Sequence, residues 1–223
     1  MNCSIFGMNR QPAVIGARKY AVEEALTGHR GNTVALFLRR MAYKDKTMHN
    51  SRNGQSFRFL HTAADTDGEL LEMESSFSAH SKEPPLHYHP VQDETFTVLE
   101  GELTVRLGDG MHLLRAGDRL DIPRNQRHAM WNAGSVKAVV NWKVRPALDT
   151  EHFLETVTGL ANDGKTNERG VPPLLQTSLL AQRYARVFRL ARPSFALQRA
   201  VFLLLTPLAR MKGYKAAYSK YID

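Results

Sequence analysis

The sequence predicts a mainly β fold, an antiparallel sandwich or barrel, with α-helices flanking it and gathered towards the C-terminus. Two observations carry that expectation. From Ser56 to Val144, short runs rich in β-branched and aromatic residues recur at close, even spacing, punctuated by Gly68, Gly101, Gly108, Gly110, Gly117 and Gly134. After Pro146 the apolar period changes from that of a strand to that of an amphipathic helix.

Residues 1–55 form an N-terminal extension, helical or partly disordered. Tyr20 to Leu26 reads as a short helix and Thr33 to Met41 as a second helix or a strand. The turn-forming run Thr27-Gly28-His29-Arg30-Gly31 lies between them. Lys44 to Gln55 is polar, shows no apolar period and is assigned to loop.

Residues 56–148 supply the β domain. Its strands fall at Phe57–Leu60, Leu70–Phe77, Thr95–Leu99, Leu103–Leu107, Met111–Leu114, Leu120–Ile122 and Val136–Val144. Glu100-Gly101-Glu102 and Asp109-Gly110 stand where tight hairpin turns belong. Alternation places Leu71 and Met73 inward, with Glu72 and Glu74 in solvent. His61 shares the inward parity of Phe57 and Phe59.

Residues 149–223 form a helical extension. Thr150 to Leu160 reads as a helix capped by Asp149 or Thr150. A loop from Asn162 to Pro173 follows, and then a helix from Leu174 to Leu190 with Leu175, Leu179 and Val187 at helical spacing. The last helix is Phe195 to Met211, with Leu197, Val201, Leu204, Leu205 and Leu208 on one side and Pro207 expected to kink or end it. Such apolar faces favour packing, against the barrel or a second copy of the chain. A peripheral membrane contact through this basic region is the lesser alternative.

Composition narrows the function classes. A single cysteine, Cys3, excludes a disulfide framework and a thiolate-based zinc cluster. No apolar run approaches the ~20 residues of a membrane-spanning helix, and no secretory signal pattern opens the chain. A cytoplasmic location is therefore expected. The net charge of +8 is unevenly spread. Residues 1–55 hold nine basic against three acidic side chains, residues 56–149 ten against fourteen, and residues 150–223 eleven against five. An acidic centre between basic flanks argues against a nucleic-acid-binding domain, and no helix-turn-helix pattern is evident.

The chemistry concentrates in two stretches. In Pro84-Pro85-Leu86-His87-Tyr88-His89-Pro90-Val91-Gln92-Asp93-Glu94, His87 and His89 are two apart and project from one face of a strand. Neutral imidazole is a good ligand for divalent first-row metals, and Glu94 adds an anionic oxygen. His128 heads a short apolar run in the second stretch, Gly117 to Asn132. Three imidazoles and one carboxylate fill four positions of an octahedron, leaving two open for substrate, water or dioxygen, which suits catalysis. Isolated histidines are more often satisfied core residues. Four ligand types arriving at two matched spacings favour a metal. His61, His80 and His112 fall outside the pattern. By alternation Phe96 and Val98 share a face with Glu94, and Met130 shares one with His128. With Met73 these are the candidate pocket walls, core packing being the plain alternative for each. Asn132 is assigned to a turn, and Trp131 to a contact between sheet and helix.

These spacings resemble the cupin superfamily. Its first motif reads G-x5-H-x-H-x3–4-E-x6-G, and here His87-x-His89-x4-Glu94-x6-Gly101 follows it from the first histidine onward, with Ser81 in place of the leading glycine. Its second motif reads G-x5-P-x-G-x2-H-x3-N, matched by Gly117-x5-Pro123-x-Asn125-x2-His128-x3-Asn132 except at Asn125. Asn is the next residue after Gly to accept a left-handed turn. The resemblance covers roughly Phe57 to Val144 and implies a double-stranded β-helix, a jelly-roll barrel with flanking helices and the metal inside it. It implies His87, His89, Glu94 and His128 as ligands of one divalent transition metal: Fe, Mn, Ni, Cu or Zn. It implies an enzyme of quercetinase-like, dioxygenase type, acting on a small, partly apolar or aromatic substrate, with Glu94 able to act as a base. A homodimer is expected by the same resemblance. The same ligands also suit a non-redox isomerase, cyclase or lyase, or a metal-containing ligand-binding or sensor protein.

Overall fold

Along Leu71-Glu72-Met73-Glu74-Ser75-Ser76-Phe77 every second side chain is buried. That alternation is the unit from which the fold is built. The computed structural model describes residues 42–222, so the expected elements Tyr20–Leu26 and Thr33–Met41, with the turn between them, lie outside the described residues. The β-strands are β1 (Thr47–His49), β2 (Gln55–His61), β3 (Leu71–Phe77), β4 (His87–Tyr88), β5 (Asp93–Glu100), β6 (Glu102–Leu107), β7 (Gly110–Arg115), β8 (Arg119–Ile122), β9 (His128–Trp131), β10 (Ala138–Arg145) and β11 (Arg189–Leu190). The helices are α1 (Thr150–Asn162), α2 (Leu174–Arg183) and α3 (Phe195–Met211), and a 3-10 turn spans Ser219–Tyr221.

The strands pair antiparallel in two sheets, β1-β2-β3-β10-β5-β8 and β11-β4-β9-β6-β7. Phe96, Val98, Leu103, Val105, Ile122, Met130 and Val140 fill the space between them. A second cluster, with Phe57, Phe59, Leu71, Met73 and Val144, joins the six-stranded sheet to Leu154 of α1. Truncating a large side chain in such a core, Phe96→Ala for instance, costs about 3–5 kcal/mol.

Several local expectations need correcting. The polar run 44–55 contains β1, which pairs with β2 across a turn where the Asn50 side chain accepts the N–H groups of Arg52 and Asn53. A three-residue strand held by its own turn needs no apolar period. His61 is exposed, because the β2–β3 register shifts between Phe59 and His61 and undoes the inherited parity. The β6–β7 hairpin closes one residue earlier than Asp109-Gly110, at Gly108-Asp109, with Gly110 already in β7. Gly101, however, joins β5 to β6, which lie in different sheets, so Glu100-Gly101-Glu102 is a crossing and not a hairpin. A Cβ on Gly101 would come within 2.5 Å of the Lys137 carbonyl, and its φ is +71°.

The expected helix 174–190 ends early. α2 stops at Arg183, Tyr184 is buried, and the chain straightens into β11 against β4. Pairing to that sheet edge satisfies backbone groups that a longer helix would leave facing it. Asp149 precedes α1 but caps it with no side-chain hydrogen bond; its carboxylate instead accepts from Arg183 at 2.6 Å, tying α1 to α2. α3 continues past Pro207, which is exposed, as is Leu203, whose carbonyl the missing N–H would have bonded. The side of α3 that packs is also the opposite of the leucine stripe: Gln198, Phe202 and Ala209 are buried, while Leu197, Val201, Leu204 and Leu208 are exposed. Gln182 of α2 holds that inner side, donating to the Phe202 carbonyl at 3.0 Å and to Thr206 Oγ1 at 2.6 Å.

Candidate metal centre

His87 opens β4, and His89 follows its end. His128 opens β9 directly across from His87, and Glu94 is the second residue of β5 in the opposite sheet. The donor nitrogens of His87, His89 and His128 all lie within 4.8 Å of one another. Glu94 reaches two of the three: its Oε2 is 3.2 Å from His89 Nε2 and 3.0 Å from His128 Nε2. Two ligand atoms at right angles, each about 2.1 Å from one ion, stand about 3.0 Å apart.

The far side of each ring is anchored. Nδ1 of His87 donates to the Pro85 carbonyl (2.9 Å), Nδ1 of His128 to the Gln126 carbonyl (3.0 Å), and Nδ1 of His89 to the Val187 carbonyl (2.5 Å). A proton held on Nδ1 leaves Nε2 as a lone pair. Glu94 is treated alike: Trp142 Nε1 donates to its Oε1 at 3.0 Å, leaving Oε2 free. His89 Nε2, His128 Nε2 and Glu94 Oε2 are buried and make no well-directed hydrogen bond, although they approach one another closely. Buried polar atoms normally find partners, and three orphans converging on one place mark a position shaped for a cation. The donor set therefore fits a divalent metal.

Electrostatics agree in part. Burial pulls His87 well below the usual imidazole value, and neighbouring His128 and His89 act the same way. For Glu94, burial pushes the carboxyl up, but the charge of His89 and the contacts of His128 and His89 outweigh it and hold it well below the carboxylate range. Both groups thus stand in the protonation states that bind cations. His89 differs. Burial lowers it, yet Glu94 beside it raises it further, so its net shift is upwards.

A cavity of about 220 Å³ opens beside the three rings. Phe57, Met130 and Trp142 line it from the barrel, Phe153 and Val157 from α1, Leu180 from α2 and Tyr184 from just beyond it. Val187 and Phe188 close one side, with Phe188 stacked on His87 at 4.6 Å and on Phe153 at 5.0 Å. Of the four candidate wall residues, Met130 lines the cavity. Phe96 and Val98 belong to the cluster between the sheets and Met73 to the cluster under α1. His80 and His112 are exposed. Asn132 is buried and braces its turn, donating to the Phe77 and Val136 carbonyls and accepting from Gly134 N–H. Trp131 is half-buried with Arg106 over its ring at 6.0 Å. The two motif departures have local reasons. Asn125 takes φ +66°, and the left-handed step before β4 is made by His80 at φ +54°, while Ser81 pairs with Asn132 through N–H and hydroxyl.

Sequence reasoning missed Trp142, Val187 and Phe188. Alternation along Val136–Val144 places Trp142 on the inner face but not its bond to Glu94. Val187 and Phe188 were hidden inside an expected helix.

Comparison with known proteins bears on the same region. A family model described as cupin domain matches residues 74–143. Protein SchB of Streptomyces halstedii is 37% identical over 78 residues, 31% of this chain and 56% of that protein. Tetracenomycin polyketide synthase protein TcmJ of Streptomyces glaucescens is 37% identical over 60 residues, 27% of this chain and 40% of that one. An oxidoreductase of Arthrobotrys oligospora is 37% identical over 57 residues, 25% and 22% of the two chains. The chain thus spans about half, or less, of the length of the curated relatives it matches.

Proposed function

We propose that this chain, whose residues 74–143 match the cupin domain model, is a mononuclear metal-dependent enzyme of the cupin superfamily, an oxidoreductase of dioxygenase type acting on a small, partly apolar or aromatic molecule. One observation carries this reading: buried Nε2 and Oε2 atoms of His89, His128 and Glu94 lack hydrogen-bond partners while their opposite atoms are all engaged. The oxidoreductase of Arthrobotrys oligospora and the polyketide synthase protein TcmJ lend it support by name.

His87, His89, His128 and Glu94 would hold one divalent transition metal. Bound there, it would supply Lewis acidity towards a substrate oxygen and, for a redox-active ion, an electron path to dioxygen. The chain's own groups do the rest. The three carbonyls keep each imidazole in one tautomer, so no reorganisation accompanies binding. Trp142 holds Glu94 Oε1, so Oε2 is turned towards His89 and His128, and on release from the metal it could take a proton from a substrate hydroxyl. Phe153 and Phe188 offer flat apolar surface to a planar ligand and exclude water beside His87.

The test is metal analysis of tag-free protein by mass spectrometry, followed by oxygen uptake across a panel of aromatic enols. About one equivalent of metal and uptake with a subset of enols are expected, and His87→Ala with His128→Ala removes both. Product without uptake replaces the reading with isomerase, cyclase or lyase chemistry. Ligand binding with no turnover replaces it with a sensor.

A further inference from the structure

α3 is built inside out. Its buried side is led by the polar Gln198, whose amide donates to the Leu190 and Pro193 carbonyls at 2.9 and 2.6 Å. Its outer side carries Leu197, Ala200, Val201, Leu204, Leu208 and Met211, recurring every three or four residues. Leu204 is 80% exposed, Met211 83%, Leu203 53% and Leu197 52%. A continuous apolar stripe over 17 residues, about 25 Å long, is far more than the scattered exposed leucine of an ordinary surface.

Charge identifies what such a stripe meets. From Arg169 to Ile222 the chain holds ten Lys and Arg and not one Asp or Glu. Arg183 and Lys220 are paired with Asp149 and Asp163. Arg199, Arg210, Lys212 and Lys215 are exposed on α3 or just beyond it. A second copy seated on the stripe would bring no charge complementarity, since it carries the same cations and no acidic side chain over this stretch. An anionic lipid surface meets both features at once, apolar side chains entering the headgroup boundary and cations resting on phosphate. None of the described helices is long and apolar enough to cross a membrane, so α3 would lie along the surface.

We propose that α3 docks this protein peripherally on anionic phospholipid membranes, through its outer leucine stripe and the flanking basic residues. The proposal is independent of the chemistry at the metal centre.

Sedimentation of the full chain with vesicles tests it. Binding is expected to vesicles containing phosphatidylglycerol, to be much weaker with phosphatidylcholine alone, and to weaken as salt rises. Leu204→Glu with Leu208→Glu should abolish binding with thermal melting and metal content unchanged, since both side chains already face solvent. Arg199→Glu with Arg210→Glu should weaken it by roughly tenfold or more. Equal binding of the leucine variant, or no binding to any vesicle, overturns the proposal. So does a dimer in sedimentation equilibrium that Leu204→Glu with Leu208→Glu dissociates, or retention on duplex DNA in place of lipid.

Discussion

Trp142 is a small case of how one side chain conditions another. Its indole N–H fixes Glu94 Oε1, and its ring is stacked on Phe96 at 5.3 Å. Trp142→Phe keeps the stack and removes the donor, so metal affinity should fall by about 10–100-fold with little change in melting temperature, measured by chelator competition. Phe188 acts on the ligand side. Phe188→Ala should leave metal content intact and weaken binding of a planar apolar ligand by roughly tenfold, read by calorimetry. At this scale the sequence displayed the candidate metal ligands, because His87, His89, Glu94 and His128 carry their chemistry in their residue type and spacing. It concealed Val187, because the group that orients His89 is a backbone carbonyl, and any residue type supplies one.

Among elements, strands were legible where one face is buried and the other wet, as in β3, β5 and β6. Which sheet a strand joins was not, since the Gly101 crossing uses the same turn chemistry as a hairpin. β11 was hidden for another reason: two residues cannot establish a period, and Val187 happens to continue that of α2. Its docking depends on few bonds, among them Ala191 N–H to the Leu86 carbonyl at 2.9 Å. Ala191→Pro deletes that donor. Hydrogen exchange at Leu86 to Tyr88 should then quicken, and metal affinity should drop by about tenfold or more while the barrel strands stay protected.

For the molecule as a whole, α1 brings two acids with opposite demands on pH. At Asp149 the contact with His152, then the Arg183 guanidinium, outweighs burial and holds the carboxyl well below its ordinary value. Its contribution is present above that ordinary value and is lost as pH falls through the depressed one. It is partly exposed, so about 0.5–1 kcal/mol is at stake. At Glu151 burial dominates and the value is raised, although Ala63 N–H donates to Oε2 at 3.1 Å. Here the sign reverses: stability is complete below the ordinary carboxyl value and declines as pH rises through the raised one. Glu151→Gln should therefore melt like the parent in acid and about 2–4 °C higher at neutral pH, measured by calorimetry across that range.

The carbonyl that steadies His89 lies 98 residues downstream of it. Translation runs from the N-terminus, so a ribosome delivers all four candidate ligands long before it delivers Val187. If the proposed centre holds a cation, full affinity is expected only once the tail has folded back and that carbonyl is in place.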